Sequence, residues 1–232
     1  MEKPKDLIII GSPRGKGSNS LFLAQIFIRG FKTINNEAPH TIFLSHIKEI
    51  NTHLEVFKNA KRILWFFPLY TDAMPALVKN FMENLSKNDF SDKQMGFFII
   101  SGFPEARHSM YVERYFINLT KKYNAQLIGS VIKGGMEGVS MQPKWLTRKV
   151  RKQVKRLGYN FAQTGKLDPA ISKKMRKMVD LPKIAIFMIT IMKKLGLMNK
   201  YWNKNLKRNN AFQQRFDKPY GSLINYNNLT AE

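Results

Sequence analysis

The chain has 232 residues, 44% apolar and 12% aromatic, and no cysteine. That excludes a disulfide scaffold, a thiol nucleophile, a cysteine-ligated zinc site and an iron–sulfur cluster. The formal net charge is +23, and residues 143–232 hold most of it, with 21 basic and 4 acidic side chains against 18 and 12 in residues 1–142. Such a field favours an anionic partner (a phosphorylated cofactor, an acidic membrane surface or nucleic acid) without choosing among them.

The first two-thirds alternate short apolar runs with helical stripes, the signature of βαβ units on a parallel sheet. Leu7–Ile10 is an uninterrupted apolar strand of the kind covered by helices on both faces. It runs into the turn Gly11–Ser20, and Leu23, Phe27 and Phe31 then repeat at helical spacing. Strands follow at Thr41–Leu44 and Ile63–Phe67, then a helical stripe of Leu77, Phe81 and Leu85. Gly96–Ile100 is the fourth strand, Val112, Phe116, Leu119 and Tyr123 the next stripe, and Leu127–Ile132 the fifth strand. From Pro143 the character changes. Leu146, Val150, Val154, Leu157 and Phe161 form one apolar stripe on a helix whose other faces are crowded with Lys and Arg. Gly165 and Pro169 break the chain before a basic helix (Ser172–Met178), an apolar one (Lys183–Leu195) and a polar, Asn-rich tail. The pattern predicts a three-layer α/β sandwich with a five-stranded parallel sheet over residues 1–165, and a helical, basic C-terminal extension over 166–232. The longest apolar stretch, Ile184–Met192, is far short of the roughly 20 residues a bilayer span requires, and no signal-peptide core is visible. The expectation is a soluble, cytoplasmic protein.

A strand, a turn rich in Gly and Ser, and a helix start make an anion cradle: glycines let the backbone approach, N–H and hydroxyl groups donate, and the helix dipole favours negative charge. Two better-known phosphate motifs fail here. A P-loop needs a glycine where Lys16 stands, and the dinucleotide fingerprint needs one at Ser20. Many hydroxyls with few glycines suit a terminal phosphate monoester better than a pyrophosphate. The plainer alternative is an ordinary βα turn with a Ser/Asn cap.

Gly11-Ser12-Pro13-Arg14 followed by Ser18-Asn19-Ser20 resembles the phosphate loop of NAD(P)H-dependent FMN reductase-like flavoproteins of the flavodoxin-like fold. Two further segments agree in order and spacing. Pro68–Pro75 after the third strand looks like the family's loop against the flavin, and Ser101–Glu105 after the fourth looks like its third flavin loop. Gly134-Gly135 sits where the family often has glycines. The resemblance spans roughly residues 5–140. It implies that Ser12, Arg14, Ser18, Asn19 and Ser20 hold the FMN phosphate. Pro68, Leu69 and Tyr70 would line the ribityl chain and ring, and Ser101, Gly102 and Phe103 would meet the ring's polar edge. The implied activity is an NAD(P)H-dependent oxidoreductase passing a hydride through bound FMN to a quinone, a flavin or another small acceptor. With the chemistry on the flavin, no catalytic acid–base pair is expected. Flavoproteins of this kind often pair so that the partner completes the site, which implies a homodimer. A flavin-binding electron carrier is the alternative, and a membrane-surface protein without redox turnover a third reading. Iron–sulfur relatives carry clustered cysteines where this chain has the cysteine-free stretch Ser45–Ala60.

His40, His46, His53 and His108 are scattered, and no metal site is expected. Glu105 and Glu137 lie near the cofactor loops and read either as substrate contacts or as solvated acids. Met74, Met110 and Met136 read as pocket lining or core filling. In the basic C-terminal third, Trp145, Phe187 and Trp202 are candidate interfacial anchors for an anionic membrane. The competing expectation packs Ile184–Met192 on the core or on a second subunit with its lysines reaching water. Specific nucleic-acid binding is not expected, because no recognised module is present.

Overall fold

A computed structural model describes residues 5–176, 180, 182–196 and 199–218, with the backbone alone at 185 and 201. Met178 and the Asn-rich tail beyond 218 lie outside the described residues. The elements run β1 (Asp6–Ile10), α1 (Asn19–Phe31), β2 (His40–Phe43), α2 (Ile50–Asn59), β3 (Arg62–Pro68), α3 (Ala76–Glu83), α4 (Lys87–Phe90), β4 (Gln94–Ile100), α5 (Arg107–Lys122), β5 (Gln126–Lys133), α6 (Lys144–Thr164), α7 (Pro169–Met175), α8 (Lys183–Lys194) and α9 (Asn199–Arg208). The chain divides into two compact units, Met1–Asp180 and Leu181–Glu232.

In the first unit all five strands pair in parallel, in the order β2-β1-β3-β4-β5. Successive strand residues point to opposite faces, and both faces are dry. Ile8, Ile10, Leu64, Phe66, Phe98 and Ile100 pack under α1 and α6. Leu7, Ile9, Ile63, Trp65, Phe67 and Phe97 pack under α2, α3, α4 and α5. This is a three-layer, flavodoxin-like sandwich, and it explains why the strands read as continuous apolar runs rather than alternating ones.

Two features were not legible in the sequence. The first is how closely α1 and α6 approach. A Cβ on Gly30 would stand 1.8 Å from the Lys155 carbonyl oxygen, and one on Gly158 would stand 1.9 Å from that of Phe27. Two glycines 128 positions apart therefore let the backbones touch, and this seats Phe27 edge-on against the stacked Phe66 and Phe98 rings. The second is where the first unit ends. Beyond the expected boundary at 165, Leu167 N–H donates to Ile128 O at 2.8 Å, and Leu167, Ile171 and Met175 are buried. The chain lies along the otherwise open edge of β5 and covers it, which blunts strand-to-strand association. Arg176 then pairs with the buried Glu113 of α5, which also accepts from Ser130 of β5. On α6, Val150, Val154, Leu157 and Phe161 are buried as the stripe predicted, but Leu146 at its start is exposed.

Candidate functional site

In a doubly wound sheet the strand order reverses between neighbours whose crossovers go to opposite faces, and a crevice opens outside their C-terminal ends. Here β1 lies between β2 and β3, so the loops after β1 and β3 flank that point. Backbone hydrogen bonds tie the loops of this edge together. Gly11 N–H donates to Phe66 O at 2.9 Å, Leu69 N–H to Ile100 O at 2.7 Å and Ser101 N–H to Lys133 O at 3.1 Å. The β5–α6 loop closes back, with Met136 N–H on Ser101 O at 2.9 Å and Gly135 N–H on Phe103 O at 2.7 Å. Gly134 is required there, since a Cβ would lie 2.4 Å from the Pro104 carbonyl oxygen and 2.6 Å from that of Phe103.

The first loop turns through a short 3-10 segment, Gly15–Gly17, into α1. Ser18 is the N-cap, its Oγ accepting from Leu21 N–H at 3.1 Å. A helix start leaves its first N–H groups without intrahelical partners, and Arg14 and Lys16 add positive charge in a stretch, 7–36, that has no carboxylate. Ser12, Ser18 and Ser20 are buried, whereas Arg14 is exposed. Asn19 is partly committed elsewhere: its Nδ2 donates to Met136 O at 2.9 Å and anchors the β5–α6 loop to α1. Two of the residues expected to hold a phosphate, Ser18 and Asn19, thus also hold the loop itself. Gly15, Gly17 and Ser18 N–H donate within the loop, which leaves Arg14 and the remaining backbone N–H groups as the groups most open to an incoming anion.

The second loop carries Pro68 as the last residue of β3 and Leu69 packed against the core. Tyr70 is exposed and bridges to Ala73 through reciprocal backbone bonds of 3.0 Å. The intervening Thr71 and Asp72 have φ of 48° and 58°, the left-handed geometry of a tight two-residue turn, which a β-branched threonine adopts only under strain. Asp72 Oδ1 lies 2.9 Å from His108 Nδ1 at the start of α5, and the His108 ring is 5.7 Å from that of Phe103. The second and third loops are therefore joined through His108, which sequence spacing had left as one scattered histidine.

In the third loop Ser101 is buried, its Oγ donating to Phe103 O at 2.9 Å. Gly102 is exposed, and Phe103 is 65% exposed. Glu105 Oε2 and Ser109 Oγ are buried without a hydrogen-bond partner. Glu137 reaches across the edge: its Oε1 is 3.7 Å from Arg14 Nη1, and its Cβ would lie 3.6 Å from a Cβ on Gly102. The carboxylate thus sits between the first and third loops. Lys133, at the end of β5, is half-buried and donates to Gly134 O. Burial, reinforced by nearby Lys149, lowers its pKa. Met136 is core, and Met74 and Met110 pack partly buried beneath the helices of the opposite face, so all three fill space between elements.

At the opposite end of the sheet a polar cleft of about 710 Å³ is lined by Asp6, His40, Arg62 and Gly165 among others. Its central charges are already satisfied, Arg62 pairing bidentately with Asp6 at 2.5 and 2.7 Å and stacking on Phe161. That cleft is held together as structure. Among the described residues no group of three or more His, Asp or Glu is arranged to hold a metal ion, and no helix is long and apolar enough to cross a membrane.

A family model described as Flavodoxin-like fold matches residues 4–99. No curated protein matches the sequence. Among solved structures, the chain is similar to an FMN-dependent NADH-azoreductase from Bacillus anthracis in complex with FMN, at 16% identity and a TM-score of 0.54 over 68% of this chain and 99% of that one. It is similar to the NAD(P)H:quinone oxidoreductase of Methanothermobacter marburgensis, at 12% identity and 0.53 over 67% and 95%. It is similar, too, to the Trp repressor binding protein of Bacillus subtilis, at 18% identity and 0.53 over 66% and 97%.

Proposed function

On this flavodoxin-like fold, we propose that the chain is an NAD(P)H-dependent, FMN-containing oxidoreductase that delivers a hydride to a quinone, a flavin or a similar small acceptor. The observation that carries the reading is the first loop: a hydroxyl-rich, carboxylate-free turn bearing Arg14 and Lys16, closed by a Ser18-capped helix start at the crevice of the sheet. The azoreductase it resembles was solved with FMN, which supports the choice of ligand.

The donor set fits such a group. Backbone N–H groups of the first loop, with Ser12, Ser18, Asn19 and Ser20 around them, and the Arg14 guanidinium would take the phosphate, a charge-assisted contact. Pro68, Leu69 and Tyr70 would border the ribityl chain and ring, and Phe103 offers an exposed aromatic face. The loop of Ser101 and Gly102 would meet the ring's polar edge through its backbone, and the unpartnered Glu105 oxygen is an acceptor suited to the ring's one N–H. FMN, when bound, supplies the hydride acceptor and donor. The protein's part is to orient it, shield it from water and set its electrostatics. Glu137, whose Oε1 lies 3.7 Å from Arg14 Nη1, would compete with the phosphate for the guanidinium charge.

Purified protein should retain a flavin absorption band after FMN addition and desalting, and should then oxidise NADH or NADPH in the presence of a quinone. A colourless protein that does not hold FMN refutes the reading. A yellow protein that takes no electrons from either nicotinamide makes it a flavin-binding carrier, a role for which the +23 charge is unlike the acidic flavodoxins.

A further inference from the structure

The second unit, Leu181–Glu232, carries a surface that the redox reading leaves unused. Its helix α8 has Pro182 as N-cap and runs from Lys183 to Lys194. Between Lys183 and Lys193 every residue but Thr190 is apolar, and the Thr190 hydroxyl is satisfied within the helix by donating to Ile186 O at 2.9 Å. At about 100° per residue, Ile184, Ile186, Phe187 and Ile189 look out in four different directions, and their exposures are 73, 51, 64 and 38%. An amphipathic helix that docks on a protein has one apolar stripe and a polar remainder. A helix apolar all round is matched by a medium that encloses it, a large protein core or lipid.

Hydrocarbon is such a medium, and length and charge say how the helix would enter it. Twelve residues rise about 18 Å, short of the roughly 30 Å of a bilayer core. Lys183 precedes the apolar run, and Lys193 and Lys194 end it, so both ends carry ammonium groups on stems long enough to reach phosphates while the helix stays sunk. The rest of the unit agrees. On α9, Trp202 is 60% exposed among lysines, and Arg215 lies over the rings of Phe212 and Phe216 at 4.1 and 4.6 Å. The described residues of the unit hold nine Lys and Arg against the single carboxylate of Asp217. Nucleic acid would use the charge but has no use for a bare apolar helix. Anionic lipid uses both.

We propose that the second unit docks on an anionic lipid surface, with α8 sunk among the outer acyl chains and Lys183, Lys193 and Lys194 reaching up to the phosphates. This docking is independent of the redox reading: a chain that binds no flavin would dock equally.

The test is co-sedimentation of the full chain with vesicles of phosphatidylcholine alone or mixed with phosphatidylglycerol, with FMN content measured in parallel. Binding to the mixed vesicles, weakened by salt, is expected. Each lysine near an anionic surface contributes about fivefold, so Lys193→Gln with Lys194→Gln should weaken binding on the order of 25-fold, and neither should change the circular dichroism. Ile184→Glu with Phe187→Glu should abolish it. Failure to sediment with anionic vesicles overturns the proposal, as does binding that the paired glutamates leave intact. A dimer that the same glutamates dissociate would assign α8 to a second copy, and tighter binding to duplex nucleic acid than to anionic vesicles would assign the charge to phosphodiesters. Either also overturns it.

Discussion

Replacing Gly158 by alanine tests how the first unit is held together and how that bears on the proposed cofactor loop. The added methyl carbon would stand 1.9 Å from Phe27 O and 2.8 Å from the Phe27 carbonyl carbon. A carbon tolerates a carbonyl oxygen at about 3.3 Å, so α1 and α6 must part by about 1.4 Å. Neither obstructing atom can rotate away, because both belong to helix backbone. Overpacking of a close-packed core costs about 1–3 kcal/mol, and a backbone clash belongs at the top of that range. Alanine's helix propensity returns about 1 kcal/mol. The net loss is about 2 kcal/mol, a fall in Tm of about 4–8 °C at this chain length. Because α1 begins at the loop proposed to take the phosphate, the same displacement should weaken FMN binding. Gly17→Ala is the control, since a Cβ there meets nothing within 4 Å and should leave Tm unchanged. Thermal unfolding by circular dichroism and FMN titration measure both effects. Combining Gly158→Ala with Gly30→Ala should cost less than the sum, because one separation relieves both contacts. If Gly158→Ala raises Tm, helix propensity governs the site and the close crossing is refuted.

Opposite signs are expected at the mouth of the site. Arg14→Ala should weaken FMN binding about tenfold or more through loss of a charged hydrogen bond. Glu137→Ala should strengthen it by up to about fivefold, since the exposed pair it breaks contributes at most about 1 kcal/mol; fluorescence titration of FMN decides, and equal signs would separate the two residues. At the edge of β5, the Glu113 and Arg176 side chains are 9 and 30% exposed, so Arg176→Ala strands the deeper charge. It should cost about 3 kcal/mol or more and exceed Glu113→Ala, and denaturant unfolding that gives the reverse order would refute the assignment of burial. His53, buried on α2, has its pKa lowered chiefly by burial, against the opposing carboxylate of Glu49. The unfolded histidine therefore binds a proton first, near pH 6.5, and stability falls as pH drops below about 6.5. Asp168 adds a loss at lower pH. Its pKa is depressed chiefly by the Ile171 N–H it caps, so its contribution is present above about pH 4 and is lost as pH falls through the folded value. Tm measured between about pH 4 and 8, in the parent and in His53→Gln, should show the upper part of that slope disappear in the variant.

Much of the architecture was fixed by local pattern. Leu7–Ile10 and Ile63–Phe67 are apolar on both faces because both faces are covered, and Leu23, Phe27 and Phe31 are buried because helical spacing puts them on one stripe. The Ser18 cap and the carboxylate-free turn around it were equally readable, since their chemistry lies within a dozen residues. What the tertiary structure decided involves distant partners. Gly30 and Gly158 look like two ordinary weak points in helices until the crossing brings each against the other's backbone. Asn19 reads as a ligand-holding amide until Met136 O occupies one of its donors. Glu113, Ser130 and Arg176 show no pattern in the chain, yet they pin it against β5 and move the end of the first unit past 165 to Asp180. His108 acquires a role only because the turn at Thr71–Asp72 comes within 2.9 Å. Hydrophobic period and turn chemistry are properties of neighbours along the chain, so sequence carries them. Contacts between elements depend on how far each is shifted and rotated against the next, and that is set only when all the faces are packed at once.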